Sequence, residues 1–198
     1  FEAHGTPYHS GLDPTKAESG LIELAKQAIR LEEMTYFDRP NPETGEKETV
    51  TVGCTCLDSG NAGWPTVPGD GRLSIDARFS AGHLAEEYDR LFQNLPAFNP
   101  NVRITTKGGL EKPPFDKDLP RNRVLQAMAR ELGAELGVEM HPGIVRGGSD
   151  GNFTASTGCP TLDGLGTTGG HVHQLGEYIN ISHLPFRLAF TAEMTLRA

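Results

Sequence analysis

The stretch Gly169-Gly170-His171-Val172-His173-Gln174-Leu175-Gly176-Glu177-Tyr178 carries the strongest chemical signal in the chain. Imidazoles two residues apart in an extended segment share a face, and a nearby carboxylate such as Glu177 can orient them or join them around a metal ion. Two histidines do not close a zinc site of typically ~4 ligands, so the same residues could merely line a turn, and a metal would need further ligands from elsewhere.

Gly147-Gly148-Ser149-Asp150-Gly151 precedes a predicted helix, and its flexible backbone can aim free amides at an anion such as a substrate carboxylate. The same five residues spell Gly-x-Ser-x-Gly, with Asp163 and His171 or His173 following in the order of a serine-hydrolase triad. Against that alternative, only a short, weak strand pattern precedes Ser149, and the sheet would be too small for such a fold. His9-Ser10-Gly11 stands just before the first predicted helix, where the histidine is either a capping-turn residue or a donor to developing negative charge. Arg78 falls on the polar face of a strand beside Asp76; it reads as a surface ion pair, although its guanidinium fork could clamp a carboxylate. Trp64, the only tryptophan, lies in a proline-rich turn and reads as a packing anchor rather than a substrate platform.

The elements that must position these residues are legible in the apolar spacing. Asp13-Pro14 is an N-cap and first-turn pair, and Leu21, Leu24, Ala25, Ala28 and Leu31 recur at helical spacing, predicting a helix from there to about residue 34. Residues 38 to 47, with two prolines, a glycine and several charges, read as a surface connection. Val50, Val52, Cys54 and Cys56 alternate with Thr51, Gly53 and Thr55, and Leu73, Ile75, Ala77 and Phe79 alternate likewise, so each run predicts a half-buried strand. Leu84, Tyr88, Leu91, Phe92 and Leu95 predict a second helix, and Val102 with Ile104 a further strand. That order is a split βαβ arrangement, two helices on one face of a mostly antiparallel sheet. After Lys112-Pro113-Pro114 the pattern changes to alternating α/β. A helix carries Val124, Leu125, Met128, Leu132 and Leu136; a short run at Met140 to Val145, a helix from about Asp150 and an apolar run at Pro160 to Leu165 follow; a last helix carries Leu184, Leu188 and Thr191.

Eighteen basic against 26 acidic side chains leave a formal charge of -8, which disfavours nucleic acid and anionic membranes as partners. No apolar run approaches the ~18 residues of a membrane span. Three cysteines cannot all pair in one chain, and reduced thiols are expected. The opening Phe1-Glu2-Ala3-His4 has neither initiator methionine nor signal-sequence pattern, so the true N-terminus is expected elsewhere.

His9-Ser10-Gly11, Asn61 through Pro68, Ile75-Asp76-Ala77-Arg78, Gly147-Gly148-Ser149-Asp150 and His173-x-x-x-Glu177 occur in the order seen in the zinc carboxypeptidase, acetylornithine-deacetylase and succinyl-diaminopimelate-desuccinylase superfamily. The resemblance spans nearly the whole chain and is nearest to the branch of folate-hydrolysing glutamate carboxypeptidases. It implies an α/β (α+β) subunit: a ferredoxin-like split βαβ dimerisation domain, residues 1–112, and the C-terminal part of a zinc-peptidase-like catalytic domain, residues 113–198. It implies a homodimer that hydrolyses an amide next to a free carboxylate in a small N-acyl amino acid or peptide, using two zinc ions, with cobalt or manganese possible. The residue matching His9 would reach into the partner subunit's site and polarise the scissile carbonyl. Arg78 would hold the substrate carboxylate, Gly147, Gly148 and Ser149 would line the pocket, and His173 would ligate zinc, with His171 as second candidate. The family's remaining ligands and its general base would all precede Phe1, so the chain alone is expected to be inactive or nearly so. A non-catalytic homodimerisation module is the competing expectation. One departure concerns the asparagine that many relatives carry three residues before the proline matching Pro68: this sequence has Pro65 there.

Overall fold

The computed structural model describes residues 1–60, 63–113, 115, 120–141, 143, 145 and 147–198. The chain divides into two compact units, Phe1–Pro114 and Phe115–Ala198.

The first unit runs β1 (Glu2–His4), β2 (Tyr8–His9), α1 (Gly20–Glu32), β3 (Tyr36–Pro40), β4 (Lys47–Asp58), β5 (Thr66–Val67), β6 (Asp70–Phe79), α2 (Gly82–Gln93) and β7 (Arg103–Thr105). Five strands form an antiparallel sheet in the order β3-β4-β6-β1-β7. Because β6 lies between β1 and β4, those two run the same way without touching, which is the split βαβ arrangement with β3 added at one edge. Alternation decides which face is covered. Val50 and Val52 on β4, Leu73 on β6 and Ala3 on β1 join Leu24 and Leu31 of α1 and Leu84 and Phe92 of α2 in one buried cluster, so both helices pack on the same side. Phe79 at the end of β6 meets Tyr88 of α2 with tilted rings, and Tyr88 meets Phe92 edge-on, the centroids 5.4 and 5.9 Å apart.

Helix α1 starts later than Asp13-Pro14 suggested. Asp13 instead accepts from the Thr15 amide and hydroxyl around a 3-10 turn at Pro14–Lys16, while Ser19 caps the helix by accepting from Ile22 N–H at 3.3 Å. Within α1, Glu23 is buried, 2% exposed, and accepts from the backbone amides of Phe98 (2.8 Å) and Asn99 (2.9 Å) and from Gln27 Nε2 (2.9 Å). It thereby ties the loop entering β7 to the helix. The connection expected at 38–47 is shorter than foreseen, because Tyr36–Pro40 forms edge strand β3, with Asn41 Oδ1 closing the turn by accepting from the Glu43 and Thr44 amides. A register shift between Cys54 and Cys56 interrupts the β4–β6 ladder, and these cysteines, like Cys159, are free and exposed.

The second unit contains α3 (Pro120–Glu135), α4 (Gly151–Ser156), the two-stranded hairpin β8 (Gly169–Gly170) with β9 (Tyr178–Ile179), and α5 (Leu184–Arg197). Ala129 and Leu132 of α3 pack with Phe190 and Met194 of α5. Arg197 closes the pair with a two-point ion pair to Glu135, at 3.0 and 2.7 Å. The buried face of α5 is therefore Phe186, Phe190 and Met194, and Leu188, expected inside, is 70% exposed. Likewise Val124 of α3 and Leu136 in the turn that follows it are exposed, and Asn122 takes an inner position, accepting from Thr161 N–H at 2.8 Å. Met140, His141, Gly143 and Val145 carry no strand, Pro142 and Ile144 of that run lie outside the described residues, and Pro160 to Leu165 is extended coil.

Candidate active site

In the first unit, β2 and β5 form a small ribbon separate from the main sheet, with Tyr8 opposite Val67 and His9 opposite Thr66. Ser10 anchors this ribbon by donating both its amide (2.9 Å) and its hydroxyl (2.8 Å) to the Pro65 carbonyl. His9 is exposed, and its Nδ1 accepts from Gly11 N–H at 3.1 Å. A neutral imidazole that accepts at Nδ1 carries its proton on Nε2, so the turn orients a single N–H donor toward solvent. His9 is therefore a turn residue whose other ring nitrogen is left open. Asn61 and Ala62, at the head of the Asn61-to-Pro68 motif, lie outside the described residues. Trp64 is 100% exposed, so among the described residues it is not the packing anchor expected.

Arg78 sits near the end of β6 on the face turned away from the helices, opposite Thr51. Its Nε and one terminal nitrogen donate to the same Asp76 oxygen, at 3.0 and 2.7 Å. Two residues apart on a strand, the pair shares a face, and the aspartate orients the guanidinium plane.

In the second unit, Gly147 and Gly148 lead into a turn in which the Ser149 amide donates to Asn152 Oδ1 (3.0 Å) and the Ser149 hydroxyl accepts from Gly151 N–H (3.1 Å). The hydroxyl thus closes a turn leading into α4, whose N-cap position is Asp150. Asp163 accepts from Gly164 N–H at 2.7 Å, closing its own turn. Neither geometry is that of a nucleophile activated by a histidine and oriented by a carboxylate, and no strand leads into Ser149 through the described residues 147 and 148.

His171 and His173 occupy the loop between β8 and β9, and the extended segment expected there is absent. Their φ angles are 58° and 63°; among the described residues the only other non-glycine residue with positive φ is Asp38. The left-handed region is costly for a side chain, so strain held at two neighbouring imidazoles is a functional pointer. Gly169 and Gly170 make the hairpin possible: a side chain at Gly169 would collide with the Tyr178 carbonyl, and one at Gly170 would meet the Tyr178 ring within 3 Å. That ring in turn meets the His171 imidazole edge-on, centroids 5.7 Å apart. Below the hairpin, Thr168 Oγ1 lies 2.7 Å from His183 Nδ1 and accepts from Asn180 Nδ2 at 3.2 Å, a fastening that histidine spacing did not single out. All residues from His171 to Ile179 are exposed. Among the described residues, no group of three or more His, Cys, Asp or Glu side chains is placed to hold a metal ion. His173 and Glu177 would supply part of a zinc shell at most.

The model of the Peptidase family M20/M25/M40 matches residues 8–197, and the chain belongs to that family. It is similar to carboxypeptidase G2 of Pseudomonas sp., 25% identical over 205 residues that cover 97% of this chain and 45% of the relative. It is similar also to succinyl-diaminopimelate desuccinylase of Cereibacter sphaeroides, 24% identical over 187 residues, 93% of this chain and 47% of the relative. The chain thus spans about half the length of the curated relatives it matches. Among solved structures, a tripeptidase from Staphylococcus aureus aligns with a TM-score of 0.66 at 17% identity over 98% of this chain and 48% of its own. The aminopeptidase PepT of Bacillus cereus aligns at 0.58, also at 17% identity, over 98% of this chain and 49% of its own. At such identities these two matches speak for the fold. No helix among the described residues is long and apolar enough to cross a membrane.

Proposed function

We propose that this chain supplies the dimerisation module and a C-terminal catalytic segment of a metal-dependent amidohydrolase that cleaves an amide next to a free carboxylate, in a small N-acyl amino acid or peptide. Family membership over residues 8–197 makes a peptidase or amidohydrolase the leading class. The observation that carries the residue-level reading is His9, exposed on its ribbon with Nδ1 occupied by Gly11 N–H. A donor so held is suited to bind a carbonyl oxygen that gains negative charge. Arg78, oriented by Asp76, holds the substrate carboxylate, exchanging one charge-assisted partner for another. Gly147, Gly148 and Ser149 line the pocket.

Zinc, or cobalt or manganese in its place, is the ion that this reading implies, and it would provide Lewis acidity and an activated water. The described residues do not fit a whole zinc site. His173 is proposed as one ligand, His171 as the second candidate, and the other ligands and the general base are to come from outside the described set. On this account the chain alone has little or no activity. For the homodimer, Ile22 and Ile29, seven residues apart on the outer side of α1, 54% and 63% exposed and flanking the exposed Lys26, are the proposed contact residues.

A mixed-dimer assay on the metal-loaded enzyme containing this chain tests the proposal. His9→Ala and His173→Ala are each expected to be inactive. If His9 serves the partner's site, mixing them in equal amounts with subunit exchange restores about one quarter of wild-type activity, because half the dimers are mixed and each has one complete site. No recovery, with exchange verified, would contradict the cross-subunit role.

A further inference from the structure

We propose that Trp64 is a specificity-determining residue, an indole platform that stacks on a planar aromatic group of the ligand whose carbonyl meets His9. The proposal rests on the reading of His9 given above and extends it. Three observations carry it. Trp64 is fully exposed, although burial is the usual fate of so large an apolar ring. Its position is fixed relative to His9: Thr66, two residues on, is the strand partner of His9, and Ser10, the next residue after His9, donates twice to the carbonyl of Pro65. Finally, Ser10, Gly63, Trp64, Pro65 and Thr66 line a shallow, open concavity of about 300 Å³, so the indole borders a recess beside the His9 ribbon.

The sequence supplies the complement. Pro65 offers no side-chain donor, and the indole stands beside it, so a contact made here is an offset or edge-to-face contact with a π system. A second consequence is practical: as the sole tryptophan, Trp64 is its own reporter.

The test titrates N-benzoylglycine and, separately, N-acetylglycine into the full chain while following tryptophan emission. The two probes share amide and carboxylate and differ in the planar ring. Saturable quenching by N-benzoylglycine, with N-acetylglycine about three- to tenfold weaker, is expected for one aromatic pair. Calorimetry on Trp64→Ala should then show N-benzoylglycine weakened to the level of N-acetylglycine, while Trp64→Phe retains most of the preference. Because the ring is fully exposed, both variants should keep the wild-type fold, checked by circular dichroism. Equal responses to the two probes, no response to either, or an unchanged preference in Trp64→Ala would overturn the platform. The two readings fail separately: a mixed-dimer assay without recovery removes the role of His9 but leaves ring-dependent quenching in place, whereas absent quenching removes the platform and leaves the mixed-dimer result untouched.

Discussion

Replacing Glu23 by alanine should unfold the first unit far more readily than any surface change. The carboxyl group is 2% exposed and accepts from two backbone amides and one side-chain amide. Gln27 Nε2 keeps a second partner, the Pro96 carbonyl at 2.9 Å, but the amides of Phe98 and Asn99 lose the acceptor that holds their loop. A fully buried donor left unpaired costs about 1–3 kcal/mol; both amides are part-buried, which puts each near the middle of that range at most and the two together at about 3 kcal/mol. For a unit of this size that corresponds to a fall in Tm on the order of 12 °C. Glu23→Gln, which offers one carbonyl oxygen and turns a donor toward the other amide, should lose about 2 kcal/mol. Urea unfolding followed by circular dichroism measures both, and hydrogen exchange locates the effect, since the Phe98 and Asn99 amides should lose protection first. A loss below about 1 kcal/mol in Glu23→Ala, or unchanged protection of these two amides, would refute the reasoning.

Cys56 donates to Asp58 at 3.4 Å, and that hydrogen bond, ahead of burial, pushes the thiol above its ordinary pKa. Cys56 should therefore alkylate slowly with iodoacetamide near neutral pH, and Asp58→Asn should speed it, read by mass spectrometry of the labelled peptide. In the second unit, the hydrogen bonds from Arg197 hold the Glu135 carboxyl below its ordinary value. A depressed folded-state pKa contributes stability above the unfolded value and loses it as pH falls through the folded one, so acid should loosen the α3–α5 pair and Glu135→Gln should flatten that pH dependence in urea titrations. Gly169→Ala forces a side chain into the Tyr178 carbonyl, and it should open the β8–β9 hairpin, with loss of the Gly169–Ile179 and Gly170–Tyr178 pairing seen by NMR while the α3–α5 core stays folded.

The first unit was readable because alternation in Val50 to Cys56 and Leu73 to Phe79 has a single physical meaning, one covered face and one open face. Helix α1 was found but misplaced at its start, since Asp13 and Ser19 are both good caps and only packing of the chain against Gly69 selects Ser19; Gly20 N–H donates to the Gly69 carbonyl at 2.8 Å. Edge strand β3 escaped notice because an edge needs neither alternation nor apolar residues, and Arg39 lies over the Tyr36 ring at 3.7 Å instead of a core. The histidine pair was misjudged for a different reason. Spacing of two implies a shared face only in extended backbone, and here His171, His173 and Gly176 lie in the left-handed region, a turn that spacing does not reveal. The second unit was less legible throughout: Val124, Leu136, Leu188 and Leu196 follow helical periodicity yet remain exposed, so their apolar pattern answers to surfaces other than the α3–α5 core.

The direct test of the metal-ligand claim is a calorimetric titration of zinc into the full chain, run beside His173→Ala and His171→Ala. The account predicts weak binding of at most one ion, weakened at least about tenfold further in His173→Ala and little changed in His171→Ala. Tight binding of two ions, or the same isotherm for wild type and His173→Ala, would contradict it.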